Sequence, residues 1–127
     1  MADSKLWLQH LSLSLRASRQ VAYLYHVEED RYEFIGDVMG VLGLAEDRTP
    51  KNKEQFSKLV ASSDLVTRQL EIAESLTNLS KAEKNFTLRY NLTRADGTLI
   101  PIIETGVTRF NESEKTSTIQ SLMALDV

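Results

Sequence analysis

The chain opens with a mixture of apolar and polar residues whose spacing predicts a helix. Leu8, Leu11 and Leu15 recur at intervals of three and four, as on one face of an α-helix over residues 4–17. Residues 11–15 also alternate as a strand does, and we favour the helix. Other apolar residues fall outside this stripe: Leu6, Trp7 and Leu13. The helix thus carries more apolar surface than one contact covers, which indicates a second partner surface.

A hairpin and a short helix are predicted next. Residues 20–27 are rich in aromatic and β-branched side chains and predict a strand, with residues 31–35 as its hairpin partner across an acidic turn. Asp37 can cap a short helix over residues 38–44. Residues 45–53 then predict a loop.

The longest predicted helix starts at a Ser-Ser-Asp cap at 62–64, after a short helix around Phe56. Its recurring positions are Leu65, Gln69, Ile72, Leu76 and Leu79, with Val66, Leu70 and Ala73 beside them. Its other side is polar: Arg68, Glu71, Glu74 and Ser75. We therefore expect the apolar side to be buried and the polar side to face solvent.

The clearest strand pattern begins at residue 86, where the period changes to two. Asp96-Gly97 supplies a tight turn; with these two residues at its centre, Arg89 lies opposite Glu104 and Tyr90 opposite Ile103. Residues 115–125 predict the last strand. The order of helices and strands predicts an antiparallel α+β domain.

Composition narrows the class of protein. The chain has 127 residues, 42% apolar and 26% charged, which is typical of one globular domain with its own core. A net charge of −3 with scattered positive charges argues against a nucleic-acid partner. The N-terminal residues predict neither a signal peptide nor a membrane span. We expect a cytoplasmic domain with no membrane contact in this segment.

The sequence lacks the usual catalytic constellations. It contains no cysteine, which excludes disulfides, thiolate metal sites and cysteine nucleophiles. It has no HExxH motif and no P-loop, and its carboxylate groups at 28–30 and 46–47 fall in predicted turns. We expect no catalytic activity and no metal site.

The element order and several short motifs resemble the PAS sensor domain of bacterial signalling proteins over residues 18–127. Residues 31–35 (RYEFI) and 41–44 (VLGL) are similar to that family's first hairpin and its following "fxxlLGy" helix. Residues 90–97 (YNLTRADG) are similar to its "yRlxrxDGxxxW" hairpin. The similarity is specific as a combination, since each motif alone is short.

Departures from the family's motifs occur at three places. Residues 61–64 (ASSD) keep the aspartate of the "hPxD" helix start, whose expected task is capping, but lack the histidine and proline. Asn91 stands where arginine is usual, and no tryptophan follows Asp96-Gly97. Residues 125–127 (LDV) resemble the "DIT" that closes the family's last strand. These departures bear more on function than on fold.

The resemblance implies an architecture and a setting. It implies a five-stranded antiparallel sheet with short helices and one long helix on one face, in a PAS domain at 18–127, plus an N-terminal flanking helix at 1–17. It also implies a module excised from a multidomain signal-transduction protein. Its partner would be a C-terminal output domain, either a histidine kinase or a cyclic-dinucleotide enzyme, in two-component or cyclic-di-GMP signalling.

The cofactor is unknown from the sequence, but some chemistries are excluded. Flavin and coumaric-acid photoreceptors of this family use a cysteine, so neither the cysteinyl-flavin adduct nor the coumaric-acid chromophore can form here. Haem members carry their axial histidine on the long helix, where residues 64–79 have none. His26 is chemically able to bind haem iron, although an ordinary strand-end histidine is the favoured interpretation, so we disfavour haem. We also interpret His10, on the predicted N-terminal helix, as an ordinary surface histidine, with a dimer contact as the alternative.

In the family, small ligands lie between the sheet and the helices, which implies a pocket in the core. The candidate ligand-pocket residues are Tyr23, Tyr25, Phe34, Val38, Leu42, Phe56, Leu70, Leu88, Tyr90, Ile103 and Met123. For each, ordinary core packing is the competing interpretation. The tyrosines are the strongest candidates, since a buried phenol needs a hydrogen-bond partner.

The sequence is compatible with three functions. The first is a regulatory sensor that binds a small molecule and controls a linked output domain. The second is a ligand-free homodimerisation module, for which the candidate dimer interface is Leu6, Trp7, Leu11 and Leu15. An enzyme ranks last, because the core offers few polar groups for catalysis.

Overall fold

The structure is a computed structural model that describes residues 2–77 and 83–126, with side chains from Lys5 onward. Leu79 of the predicted long helix and Val127 of the last motif lie outside the described residues. The helices are α1 (Ala2–Ala17), α2 (Val38–Leu42), α3 (Lys53–Ser57) and α4 (Ser62–Leu76), with a 3₁₀ turn at Glu46–Arg48. The strands are β1 (Gln20–His26), β2 (Arg31–Gly36), β3 (Lys84–Thr93), β4 (Leu99–Asn111) and β5 (Thr116–Leu125).

The strands form one five-stranded antiparallel sheet in the order β2-β1-β5-β4-β3. The first and last strands are therefore central neighbours, and β2 and β3 are the edges. This confirms the predicted α+β class and the five-stranded sheet. The end of the domain, β5, is thus hydrogen-bonded along its length to β1 and β4.

The core lies between one face of this sheet and helices α2, α3 and α4. On β1 the buried residues alternate with half-buried ones, so Val21, Tyr23 and Tyr25 face the core. Buried residues from the helices complete the same cluster: Val38, Val41, Leu42 and Phe56. We call the side of the sheet that faces this cluster the inner face.

Helix α1 packs against the outer face of the sheet, over β1 and β2. Leu15 is buried there within the chain and lies close to Gly36, whose backbone has φ +110°. A side chain at Gly36 would lie 2.5 Å from the Gln20 carbonyl oxygen, so only glycine fits. Leu15 therefore packs between α1 and its own sheet. Its predicted place in the dimer interface is corrected accordingly.

The β3–β4 register differs by one residue from the predicted one. The loop has three residues: Arg94 N–H donates to the Thr98 carbonyl, and Gly97 N–H donates to the Arg94 carbonyl, both at 2.9 Å. Gly97, at φ +86°, occupies the left-handed position of such a loop. Leu88 consequently pairs with Glu104, and Tyr90 pairs with Ile102. The predicted Arg89–Glu104 and Tyr90–Ile103 pairs are wrong, since they assumed a two-residue loop.

This shift by one residue decides which side chains of β4 enter the core. Because side chains alternate along a strand, Ile102 and Glu104 share the inner face, and both are fully buried. Ile103 lies on the outer face, opposite Ala124. Its assignment to the ligand pocket is therefore corrected.

Helix α4 is rotated relative to the predicted orientation. Arg68 and Ser75, which we expected in solvent, are buried, whereas Val66 and Leu70 are each 65% exposed. The prediction that Leu70 lines the ligand pocket is therefore corrected. Burial of Arg68 is tolerated because Glu104 supplies an opposite charge inside the fold, and Leu65, Ile72 and Leu76 of the predicted apolar side still pack against the core.

Asp64 has a different task from the expected cap. Helix α4 has no side-chain cap, and Asp64 Oδ2 instead accepts hydrogen bonds from Asn91, from the backbone N at 2.8 Å and from Nδ2 at 3.2 Å. The carboxylate thereby ties the first turn of α4 to the edge strand β3. By contrast, Asp37 caps α2 as predicted, since its side chain accepts from Gly40 N–H.

Candidate functional site

A cavity of about 130 Å³ lies between β1 and β2 on one side and α3 and α4 on the other. Its walls are mostly apolar, with aliphatic side chains and four aromatic rings, from Tyr23, Tyr25, Tyr32 and Phe56, and Arg68 contributes to the lining. More polar residues also border it: Lys53, Ser57 and Gln69. It combines an apolar interior with a few polar groups, as small-molecule sites do.

The eleven candidate pocket residues take different places around this cavity. Tyr23, Tyr25 and Phe56 line it. Five others are buried in the surrounding core: Val38, Leu42, Leu88, Tyr90 and Met123. Phe34 is partly buried and packs on that core.

The aromatic walls are held by ring-to-ring packing. Tyr32 stacks on Phe56 with ring centroids 5.1 Å apart and planes 19° apart. Tyr23 meets Tyr32 edge to face at 5.2 Å, and Tyr25 lies 4.2 Å from it. Such ring pairs stabilise the fold by more than their buried apolar area alone would. The rings therefore form a preorganised wall along one side of the cavity.

A buried polar group adjoins the aromatic wall, built around the carboxylate of Glu104. Its Oε1 accepts from Arg68 Nη2 at 3.0 Å and from the Tyr90 hydroxyl at 2.6 Å. Its Oε2 accepts from the hydroxyls of Tyr23 and Ser121, both at 2.5 Å. We call these five residues the Glu104 cluster; it links α4 to strands β1, β3, β4 and β5.

The charge states in this cluster follow from its contacts. Burial alone raises the pKa of Glu104, but the Arg68 charge and the hydroxyl donors outweigh it and leave that pKa below its ordinary value. Burial, followed by the nearby Glu104 charge, raises the pKa of Tyr23 and of Tyr90 well above the ordinary value. The carboxylate is thus charged at neutral pH, and both phenols are protonated donors.

The Arg68 guanidinium is enclosed by rings as well as by its ion pair. Its Cζ lies 4.3 Å from the centre of the Phe56 ring and 5.0 Å from that of Tyr90. Burial lowers the pKa of Arg68, but Glu104 and the surrounding phenols offset this and raise it above the ordinary value. Its Nε is buried and donates to no described residue.

Arg68, Glu104 and Ser121 were not among the predicted site residues. A signal for Glu104 existed: it shares its period-two face with Ile100 and Ile102, where an acidic residue is out of place unless it is paired. Arg68 likewise lies between Leu65 and Ile72 at helical spacing. An acid and a base on two apolar faces are the pattern of a buried ion pair.

The histidine considered for haem lies away from the cavity. His26 Nε2 is 2.8 Å from Glu33 Oε2, in a pair at the β1–β2 edge. Among residues 2–77 and 83–126, no group of three or more His, Asp or Glu side chains is placed to hold a metal ion. In that same part of the chain, no helix is both long and apolar enough to cross a bilayer.

Comparison with solved structures identifies the fold. The N-terminal domain of a diguanylate cyclase with PAS/PAC sensor from Marinobacter aquaeolei has a TM-score of 0.67 at 14% identity, over 84% of this chain and 94% of that one. A sensory box histidine kinase/response regulator from Burkholderia thailandensis has a TM-score of 0.70 at 9% identity, over 91% and 83%. The PAS domain of a protein from Colwellia psychrerythraea has a TM-score of 0.68 at 10% identity, over 93% and 95%.

This chain therefore has the PAS fold, as its motifs implied. No protein-family model matches the sequence, and no curated protein matches it either. The likeness is thus one of three-dimensional structure at low sequence identity. What the domain does has to be argued from its own residues.

Proposed function

We propose that this domain is a non-catalytic regulatory sensor that binds a small molecule in the core cavity. The observation that carries the proposal is the position of the cavity, which shares Tyr23 and Arg68 with the Glu104 cluster. A molecule in the cavity would contact the same side chains that hold α4 to the sheet. Occupancy would therefore act on the packing between helix and strands.

The size of the cavity limits the ligand. At about 130 Å³ it compares with an engineered cavity of roughly 150 Å³ that binds benzene. A single ring with one or two substituents fits this space, whereas the tricyclic ring system of flavin and the macrocycle of haem exceed it. We therefore propose a small colourless metabolite as the ligand.

The route from the cavity to an output domain runs through β5. Ser121 of β5 and Tyr23 of β1 both donate to Glu104 Oε2, and β5 continues to Leu125 near the end of the chain. A ligand shifts such an arrangement only by binding two states with different affinity. Movement of Arg68 would redistribute the hydrogen bonds of Glu104 and thereby alter β5.

The output domain is proposed by analogy with the structural neighbours. Their names include a diguanylate cyclase and a histidine kinase/response regulator. We propose that this module controls a cytoplasmic enzyme of one of these two classes, linked after β5. The analogy rests on fold and selects neither class.

Native mass spectrometry tests the proposal directly. The domain is measured as purified and after incubation with a small-molecule extract of bacterial cells. We expect an added mass below roughly 200 Da that is released on denaturation. Ser57 is half-buried and lines the cavity, so Ser57→Leu should abolish the adduct, while the same change at the exposed Ser63 should not. No adduct on the wild-type domain, or one that survives Ser57→Leu, contradicts the proposal.

A second function, homodimerisation, is favoured by the surface of α1. Leu6 is 66% exposed, Trp7 is 71% exposed and Leu11 is 47% exposed. Apolar side chains on one exposed helix are a liability for a monomer, and a second copy of the helix would cover them. A ligand-free dimerisation module is therefore the alternative, and a sensor can also be a dimer.

A further inference from the structure

One edge of the sheet is covered over only part of its length. Strand β3 is an edge strand, and the segment before α4 pairs with its second half. Ala61 N–H donates to the Asn91 carbonyl at 2.8 Å, and Thr93 N–H donates to the Leu59 carbonyl. Within the described residues, nothing bonds in this way to the edge at 85–89.

The backbone groups on this part of the edge point away from the sheet. Along an antiparallel strand, successive residues bond alternately to one side and to the other. Arg94 N–H bonds within the hairpin, whereas Asn91 bonds outward, so the odd-numbered residues of β3 face the edge. The N–H and C=O groups of Asn85, Thr87 and Arg89 therefore point outward, and all three residues are exposed. We call these three residues the open edge; such a row is a template for a further strand.

A groove runs along the open edge, between β3 and helix α4. Asp64, in the first turn of α4, bonds to Asn91 at the edge. Near the other end of the helix, the Ser75 carbonyl accepts from Thr108 of β4. The helix therefore crosses β3 obliquely, and a groove of about 470 Å³ lies beside residues 84–88. A smaller opening of about 70 Å³ continues it toward the covered half of the strand.

The wall of the groove on α4 is acidic. Glu71 and Glu74 line it, and both are exposed. The two cations of β3 are engaged elsewhere: Lys84 Nζ donates to the Thr77 carbonyl, and Arg89 pairs with the carboxylate that follows β5. A partner with positive charges complements the two glutamates. A second copy of this domain carries a net charge of −3, so charge favours a basic partner over a second copy.

We propose that the open edge binds an extended peptide segment of a partner protein, with basic side chains at alternate positions. The peptide adds a sixth strand beside β3, and its backbone bonds to the open edge. Because side chains alternate along a strand, every second one enters the groove. There the basic groups lie beside Glu71 and Glu74, and their aliphatic parts pack on Phe86. This site is separate from the core cavity, so the inference is independent of the proposed ligand.

Three heptapeptides separate backbone pairing from charge. The probe is acetyl-Thr-Lys-Val-Lys-Thr-Lys-Thr-amide. One control replaces its lysines by glutamate, and the other keeps the lysines but carries N-methyl groups on its five central residues. Each is titrated into the ¹⁵N-labelled domain and followed by NMR. We expect the probe to bind roughly tenfold more tightly than the glutamate peptide, because it forms two exposed ion pairs.

The same titrations report on the backbone pairing. The N-methylated peptide cannot donate backbone hydrogen bonds from its central residues, so it should show no saturable binding. Amide signals of the open edge should shift with the probe, and their exchange with solvent should slow. The charge of the N-methylated control equals that of the probe, so nonspecific attraction to an acidic domain gives equal binding of the two.

Thr87→Pro provides a matched change in the domain. It removes one outward N–H but no bond to β4, and proline is tolerated on edge strands. We expect it to weaken binding of the probe about tenfold or more, because proline removes a donor and its ring crowds the edge. Thr87→Val keeps the N–H and should bind as the wild type does. A thermal unfolding curve verifies that each variant is folded.

A double variant, Glu71→Gln with Glu74→Gln, tests the acidic wall and decides the question if Thr87→Pro does not fold. It should bind the lysine and glutamate peptides with similar affinity. No saturable binding of the probe, equal binding of the N-methylated peptide, or equal binding of the glutamate peptide to the wild-type domain would overturn the proposal. Slowed exchange at the open edge that grows with domain concentration, without peptide, would assign the edge to a second copy instead.

Discussion

Replacement of Glu104 by glutamine tests whether the Glu104 cluster stabilises the fold. Glutamine has almost the same shape as glutamate but no charge, so Arg68, which is 8% exposed, becomes a buried cation without a counterion. Removing one partner of a buried ion pair costs about 3–5 kcal/mol. A hydroxyl that faces the new amide NH₂ can accept from it instead of donating, so the three hydroxyls add little to this figure. We expect Glu104→Gln to lower the free energy of unfolding by about 3–5 kcal/mol.

Equilibrium urea unfolding, followed by circular dichroism, measures this loss. The control is the same substitution at Glu33, which is 55% exposed and pairs with His26 and Arg31 on the surface. Exposed pairs of this kind contribute about 0–1 kcal/mol, so Glu33→Gln should change stability by no more than that. A loss below about 1 kcal/mol for Glu104→Gln would refute the reasoning, because the buried pair would then be no stronger than a surface pair.

The pH dependence of the same two proteins gives an independent measurement. The pKa of Glu104 in the folded state is lowered from its ordinary value of 4.5. A group with a lowered folded pKa contributes stability that is present above its unfolded pKa and is lost as the pH falls through the folded one. The stability difference between wild type and Glu104→Gln should therefore be constant near neutral pH and narrow on acidification below about pH 4.5. A difference that does not change with acidification contradicts the assignment.

Three further predictions concern other parts of the chain. Trp7→Ala should shift a dimer toward monomer with unchanged core stability, since Trp7 is 71% exposed; light scattering that gives the same mass contradicts the dimerisation proposal. Gly97→Ala should cost about 1–2 kcal/mol of unfolding free energy, because Gly97 has φ +86° while a Cβ there would meet no atom within 4 Å. An unchanged urea midpoint would mean that the loop relaxes. Asp64→Ala should cost about 1–3 kcal/mol and speed hydrogen exchange at the Asn91 amide, whose acceptor it removes. Protection of that amide at the wild-type level would show that the contact contributes nothing.

Much of the architecture could be predicted because it depends on local patterns. The period-two run in β3 puts Leu88, Tyr90 and Leu92 on one buried face, as expected from the sequence. The helix α1 and the strand β1, both within two residues of their predicted bounds, and the cap by Asp37 also follow from neighbouring residues. These features are set by backbone preference and by the side-chain period, both of which can be seen within a few residues.

The register of the β3–β4 hairpin could not be fixed from Asp96-Gly97 alone. The same dipeptide fits a two-residue loop and the end of a three-residue loop, and the two differ by one residue in register. A shift of one residue exchanges the two faces of a strand, so it decides whether Glu104 or Ile103 enters the core. Packing of the whole sheet, in which Ile102 is fully buried, favours the longer loop.

The sequence by itself determined the class of the domain, the order of its helices and strands, and the exclusion of cysteine chemistry. Only the tertiary structure decided that Arg68 and Glu104 are buried together and that a cavity lies beside them. Hydrophobic periodicity assigns a charged residue to solvent, because burying one charge alone is highly unfavourable. Here the opposite charge lies 36 residues away on another element. The side of α4 that is buried therefore depends on a long-range partner, which no local pattern contains.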